Sequence, residues 1–134
     1  MSSSNAFKGG EFLIRPLLPS EIFIPEDFTE EQRMISQTCL DFIRTEVNPI
    51  LDEIDSAKDA TVMVGLLDKA GELGLLGTSV PEEFGGFGMD FNTSMLVAEV
   101  LGAGHSVAVA VSAHTGIGTL PILYYGNDAQ KQKY

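Results

Sequence analysis

The stretch TEEQRMISQTCLDFIRTEVNPILDEIDSA, residues 29–57, predicts a long amphipathic helix that opens a helical domain. Thr29 and Gln32 have the spacing of a capping box, in which each side chain accepts a hydrogen bond from the other residue's backbone N–H. Pro49 lacks a backbone donor, so we expect the helix to bend or divide there. Apolar residues recur at steps of three and four: Met34, Ile35, Leu40, Ile43, Val47, Ile50, Leu51 and Ile54.

Further helical patterns follow in the rest of the chain. A second helix is predicted over residues 60–73, and later helices over 106–116 and 120–125. Another helix is predicted to begin at about Phe91. Its apolar side consists of Met95, Ala98, Leu101 and Ala103. Residues 75–90 are rich in glycine and predict a compact ordered loop. No alternating run has a strand partner, so the predicted fold class is all-α.

The N-terminal residues differ in composition from the helical part. Residues 1–10 are rich in serine and glycine and lack the apolar segment of a secretory signal, so we predict a flexible leader. Residues 11–28 hold three prolines and several large apolar residues at no helical spacing, which predicts an irregular arm. Residues 29–134 form the predicted helical domain. We expect the apolar side chains of the arm to pack against another surface, in particular Phe12, Leu13, Ile22 and Phe23.

Charge and cysteine content exclude several classes of partner. The chain has 8 Lys and Arg residues against 19 Asp and Glu residues, a net charge of −11, which argues against binding to nucleic acid or anionic lipid. Cys39 is the only cysteine, so no intrachain disulfide can form, and a reducing, cytoplasmic location is expected. The most apolar run, residues 107–113, is too short to span a bilayer, and we expect no transmembrane segment.

One helical face in the C-terminal part is unusually poor in bulky side chains. The spacing of one, three, one and three residues places its five members on the same side of a helix. Such a face fits either close packing against a neighbouring helix or a groove for a long apolar ligand, and spacing alone favours packing. The five candidate residues are Val109, Ala110, Ala113, His114 and Ile117.

Catalytic and metal-binding patterns are weak in this sequence. His105 and His114 are nine residues apart, which places them on opposite sides of a helix and prevents them from sharing a metal. Adjacent acidic pairs such as Glu82 and Glu83 are best explained as solvated charge. The run FGGFG has no preceding strand and therefore is not a dinucleotide-binding fingerprint. The residues themselves predict no catalytic, metal or phosphate site.

Three segments, taken in order, resemble the N-terminal helical domain of the flavin-dependent acyl-CoA dehydrogenases. They are ELGLLGTSVPEEFGGFGMD at 72–90, GHSVAVAVSAHTGIGTLPI at 104–122 and YGNDAQKQKY at 125–134. The resemblance covers about residues 26–134, and AHTGIG together with the apolar arm is most similar to the long- and very-long-chain branch. It implies an all-α bundle truncated at its C-terminal end, without the middle β domain and the C-terminal helical domain of the family.

The resemblance also implies a function for the parent protein. Members of this family oxidise the α,β bond of a fatty acyl-CoA, with FAD as hydride acceptor, an electron-transfer partner and usually a homo-oligomeric assembly. The general-base Glu lies in the absent C-terminal domain, so no catalytic, cofactor-binding or metal residue is assigned here. In the family, the helix similar to 106–116 lines the acyl-chain pocket, and the matching positions are again Val109, Ala110, Ala113, His114 and Ile117.

Two alternatives to a dehydrogenase domain remain at this point. The first alternative is a stand-alone helical interaction module without catalysis. The second is a fragment of a related acyl-CoA oxidase. In each case the 134 residues alone are expected to be inactive and to bind no flavin.

Overall fold

The computed structural model describes residues 10–56 and 59–134, and every regular element in these ranges is helical. Nearly all of the predicted leader, residues 1–9, lies outside the described residues. The all-α prediction is confirmed for the part that is described. The α-helices there are α1 (Glu30–Phe42), α2 (Leu51–Ser56), α3 (Ala60–Glu72), α4 (Phe91–Leu101), α5 (Ser106–Ala113), α6 (Leu120–Tyr125) and α7 (Asp128–Lys133).

Irregular helical turns continue or join these helices. The predicted division at Pro49 is confirmed, because α1 passes through a π-helical segment and then a 3-10 turn before α2 begins. The π-helical segments are Ile43–Val47 and His114–Gly118. The 3-10 turns are Glu11–Leu13, Pro19–Glu21, Pro25–Asp27, Asn48–Ile50, Glu82–Phe84 and Gly102–Gly104.

Gln32 joins the N-termini of α1 and α4. Its side-chain oxygen accepts from the Thr29 backbone N–H at 3.0 Å, and its own N–H donates to Thr29 Oγ1 at 3.2 Å, which confirms the predicted capping box. Its side-chain nitrogen donates to Asp90 Oδ1 at 3.1 Å and to Thr93 Oγ1 at 3.0 Å. Asp90 caps α4 by accepting from the Thr93 backbone N–H at 2.9 Å. One amide group therefore serves the first turns of two helices.

The helices α1 and α4 run parallel and form the centre of the core. The buried Cys39 thiol donates to the Val97 carbonyl at 3.9 Å, two turns further along α1 and one turn further along α4 than the contact between Gln32 and Thr93. Burial raises the pKa of this thiol to about 11, so it stays protonated at neutral pH. The largest fully buried side chains are Phe42, Ile43, Val47, Val107, Val111, Thr93 and Cys39.

A tight turn after α4 directs α5 back onto this pair. A Cβ atom at Gly104 would lie 2.7 Å from Ile43 Cδ1, so a larger residue there would require the Ile43 side chain to shift. His105 follows with φ of 51°, a left-handed conformation that is costly for a side chain of this size. The turn brings α5 into contact with both α3 and α4 and buries Val107 and Val111.

The predicted apolar side of α4 is only partly right. Leu101 is buried as predicted, but Met95 is 48% exposed, whereas Thr93, which bonds to Gln32 of α1, is fully buried. The reason is that α4 is apolar on several sides, and the Thr93 hydroxyl finds partners in Asp90 and Gln32 that make its burial favourable. The same error affects Met34 in α1, which is exposed while Phe42 is buried. Ala98 and Ala103 are exposed as well.

The arm that precedes α1 consists of three 3-10 turns. The Phe23 and Phe28 rings meet edge to face at 5.1 Å, and Arg33 of α1 donates to the Phe28 carbonyl at 3.1 Å. The expected burial of the apolar arm side chains does not occur among the described residues. Phe12, Leu13, Ile22 and Phe23 are between 48% and 76% exposed.

Replacing Gln32 by alanine is expected to lower the free energy of unfolding by about 1–3 kcal/mol, because it leaves the buried Thr93 hydroxyl with one partner fewer and removes the side-chain acceptor of the Thr29 backbone N–H. Gln37→Ala is the matched control. Its side chain bonds only to Asp41 on the exposed side of the same helix, and we expect a change within about 0.5 kcal/mol. Urea unfolding followed by circular dichroism measures both. Equal losses would contradict the linking role of Gln32.

The Asp90 cap is expected to make stability depend on pH. The hydrogen bond from the Thr93 backbone N–H lowers the pKa of Asp90, with contributions from the Thr93 hydroxyl and the Gln32 amide. A lowered folded-state pKa stabilises the fold above the ordinary value of about 3.9, and this contribution is lost as the pH falls through the lowered pKa. Asp90→Asn should therefore flatten the fall in unfolding free energy on acidification below about pH 5. A pH profile of stability that Asp90→Asn leaves unchanged would contradict the proposed contribution of the Asp90 cap.

Candidate functional site

The candidate site lies on one nearly continuous helical segment. The helix α5 passes through the π-helical turn His114–Gly118 into α6, so that helical backbone extends over 20 residues from Ser106 to Tyr125. The Thr119 backbone N–H and hydroxyl both donate to the His114 carbonyl, at 3.0 and 2.7 Å, and carry the chain through the turn. Sequence analysis predicted two separate helices here, because glycines and Pro121 interrupt the pattern. Pro121 lies in the first turn of α6, where its missing donor is tolerated.

The five candidate residues lie on the side of this segment that faces away from the core. Val107 and Val111 fill the core side, whereas Val109 is 71% and Ile117 is 82% exposed. Ala113 and His114 are exposed too, and Ala110 is half-buried. Within the described residues no neighbouring helix covers this face. Close packing inside the domain, the explanation favoured by spacing alone, therefore does not account for it.

A cleft of about 480 Å³ adjoins one end of this face. It lies between the glycine-rich loop, the π-helical turn and the C-terminal helix α7, and His114 alone of the five candidates lines it. At the edge of the cleft, Lys131 Nζ lies 5.6 Å from the centre of the Phe84 ring. Sequence analysis missed this cleft, although the glycines and phenylalanines of residues 75–90 were a signal. Its other apolar walls include Leu76, Val80, Phe87, Ile122 and Leu123.

The glycine-rich loop does not fit a phosphate or flavin cradle. Such a cradle needs free backbone N–H groups, but those of Gly85, Gly86, Phe87 and Gly88 all donate to carbonyls within the loop. A side chain at Gly86 would collide with the Val80 carbonyl, which explains the glycine by internal packing. No described group of three or more His, Cys, Asp or Glu residues could hold a metal ion. The chemistry available on the outward face is apolar contact, with His114 as its one titratable group.

The segment from Ser106 to Tyr125 also has the length and apolar composition that would allow a helix to cross a membrane. It is longer than the run 107–113 considered in the sequence, because the π-helical turn joins α5 to α6. A single helix of this kind is weak evidence for a membrane span, since core helices have the same composition. Val107 and Val111 of this segment belong to the core of the domain.

Comparison with known proteins identifies the domain. The family model "Acyl-CoA dehydrogenase, N-terminal domain" matches residues 29–134. A probable acyl-CoA dehydrogenase of Bacillus subtilis (strain 168) is 46% identical over 127 residues, which are 95% of this chain and 21% of that protein. An acyl-CoA dehydrogenase of the same organism is 38% identical over 107 residues, 79% of this chain and 28% of that protein.

Two further matches broaden the comparison. The short-chain specific mitochondrial acyl-CoA dehydrogenase of Rattus norvegicus is 35% identical over 109 residues, 81% of this chain and 26% of that protein. The crystal structure of an acyl-CoA dehydrogenase complexed with FAD from Bacillus anthracis superposes with a TM-score of 0.88 at 46% identity, covering 95% of this chain and 22% of that one. The chain thus spans between a fifth and three tenths of the length of these relatives. By these matches it belongs to the acyl-CoA dehydrogenase family, of which it carries the N-terminal domain.

Proposed function

We propose that the chain is the N-terminal helical domain of a flavin-dependent acyl-CoA dehydrogenase that oxidises the α,β bond of a fatty acyl-CoA. The family match over residues 29–134 supports this, and so do relatives that carry the name acyl-CoA dehydrogenase. FAD is the proposed cofactor of the parent, as in the complex from Bacillus anthracis. Because the backbone N–H groups of Gly85, Gly86, Phe87 and Gly88 are all used inside the loop, FAD binding is proposed to depend on residues outside this chain.

The outward face of α5 is proposed to form one wall of the acyl-chain pocket. The observation that carries this proposal is the exposure of Val109 and Ile117, at 71% and 82%, on a helix whose opposite side is fully packed. An apolar acyl chain lying on this face removes apolar surface from water, at about 25 cal/mol per Å². The proposed wall comprises Val109, Ala110, Ala113, His114 and Ile117.

The proposed substrate has a long acyl chain. Val109 and Ala113 are small and apolar and lie about one helical turn apart, so neither would obstruct an acyl chain that lies along the outward face of α5. His114 lies where this face adjoins the cleft of about 480 Å³ and would contact the far part of the chain. Since a short-chain specific enzyme is among the relatives, the choice of a long chain depends on these side chains and not on the family.

The remaining features of the parent are proposals of the same kind. Its substrate is a fatty acyl-CoA, its electrons pass to a separate acceptor protein, and it forms a homo-oligomer in the cytoplasm. The general-base Glu belongs to a C-terminal domain outside this chain. The division of this chain into a leader (1–10), an arm (11–28) and a helical domain (29–134) is likewise proposed. The family match favours this function over a stand-alone interaction module.

Ala113→Glu in the full-length gene product is expected to lower kcat/KM for palmitoyl-CoA by at least about tenfold, because an unpaired carboxylate against an acyl chain costs about 1–3 kcal/mol or more. Flavin content should not change. Ser112→Glu is the matched control, since this neighbour points about 100° away around the helix. Steady-state assays with palmitoyl-CoA and butyryl-CoA measure both variants. Equal effects of the two substitutions, or a parent that prefers butyryl-CoA, would contradict the proposed wall.

A further inference from the structure

The segment of residues 11–28, called here the apolar arm, exposes an unusual amount of apolar surface for an ordered segment. Seven of its large apolar side chains are between 45% and 85% exposed, and Ile14 is the most exposed of them. Large exposed apolar surfaces mark interaction sites. The exposed side chains are Phe12, Leu13, Ile14, Leu18, Ile22, Phe23 and Ile24.

Polar contacts, and not apolar burial, hold the arm in shape. Glu21 accepts from the Leu18 backbone N–H at 2.8 Å and pairs with Arg15 at 3.3 Å. Asp27 closes the last turn by accepting from the Ile24 backbone N–H at 3.0 Å. Arg33 of α1 anchors the end of the arm through the carbonyls of Glu26, at 2.9 Å, and Phe28. The arm is therefore pre-organised, and a partner would meet its apolar side chains at a low entropic cost.

The relatives differ in whether their matches include the arm. The matches to the probable dehydrogenase of Bacillus subtilis and to the Bacillus anthracis structure cover 95% of the chain, so they must include the arm. Because 127 residues are 21% of the first of these, that protein is about 600 residues long. The other two matches span only 107 and 109 residues, about the length of the family domain, and come from proteins of about 380 and 420 residues.

We propose that the apolar arm docks onto the region of about 200 residues by which the longer relatives exceed the shorter ones. The arm and the extra length occur together in these comparisons, and seven large apolar side chains of the arm stay exposed beside the described family domain. This inference rests on the proposed function, because it takes the chain to be part of a larger dehydrogenase. The expected partner is an apolar surface of that extra region, within the same polypeptide.

A photochemical cross-link in the full-length gene product tests the contact. Ile14→p-benzoylphenylalanine places a light-activated group at the most exposed position of the arm. After irradiation, peptide mapping by mass spectrometry should find the cross-link in the region that the shorter relatives lack, in a band of single-chain mass. The same probe in a Val64 variant is the control, since Val64 is 56% exposed on α3, and it should not reach that region.

The outcomes separate this inference from the proposed function. A cross-link to sequence shared with the shorter relatives, a cross-link to a second copy, no cross-link, or a gene product without the extra region would each overturn the docking proposal. Flavin content and oxidation of palmitoyl-CoA are read on the same preparation, and their absence would overturn the proposed function instead. As a second variant, L13S/I14S should speed the proteolytic release of the extra region while leaving the flavin spectrum unchanged.

Discussion

The amide of Gln32 fixes the geometry on which the rest of the domain depends. It caps α1 through Thr29 and binds the first turn of α4 through Asp90 and Thr93. With both N-termini held together, the two helices run parallel. Further along, Cys39 contacts Val97, and Ile43 contacts Gly104 in the turn after α4. Because the buried polar atoms of this link are all paired, a polar residue can occupy the centre of an otherwise apolar core.

The position of α5 follows from that parallel pair. Gly104 allows the turn after α4 to approach Ile43 closely, and Val107 and Val111 then complete the core. Once this side of α5 is committed to the core, the opposite side has to face outward. The apolar side chains that it exposes, Val109 and Ile117 among them, suit a surface that receives an apolar chain. One side of α5 thus completes the core, and its other side forms the candidate site.

Local signals in the sequence predicted local structure well. The capping box at Thr29 and the division at Pro49 each depend on one or two residues and their immediate neighbours. The inward face of α4 was predicted only in part, with Leu101 correct and Thr93 missed, because the helix is apolar on several sides and the burial of Thr93 depends on Gln32, 61 residues away. The exposure of the arm could not be predicted either, since it depends on whether the folded domain presents an apolar surface that covers the arm.

The grouping of the five wall residues was predictable from helical spacing, but their outward orientation was not. Spacing defines which residues share a face, whereas the packing of Val107 and Val111 decides which face is inside. The cleft beside His114 was missed for a related reason: it forms between a loop and two helices that are distant in sequence.

The central claim is that the outward face of α5 serves an acyl-CoA-oxidising flavoprotein. Its most direct test is an anaerobic titration of the purified full-length gene product with acyl-CoA substrates, followed by visible absorbance. We predict a yellow protein with stoichiometric flavin whose absorbance is bleached by palmitoyl-CoA at lower concentrations than by butyryl-CoA. A colourless protein, or a flavin that no acyl-CoA reduces, would contradict the account.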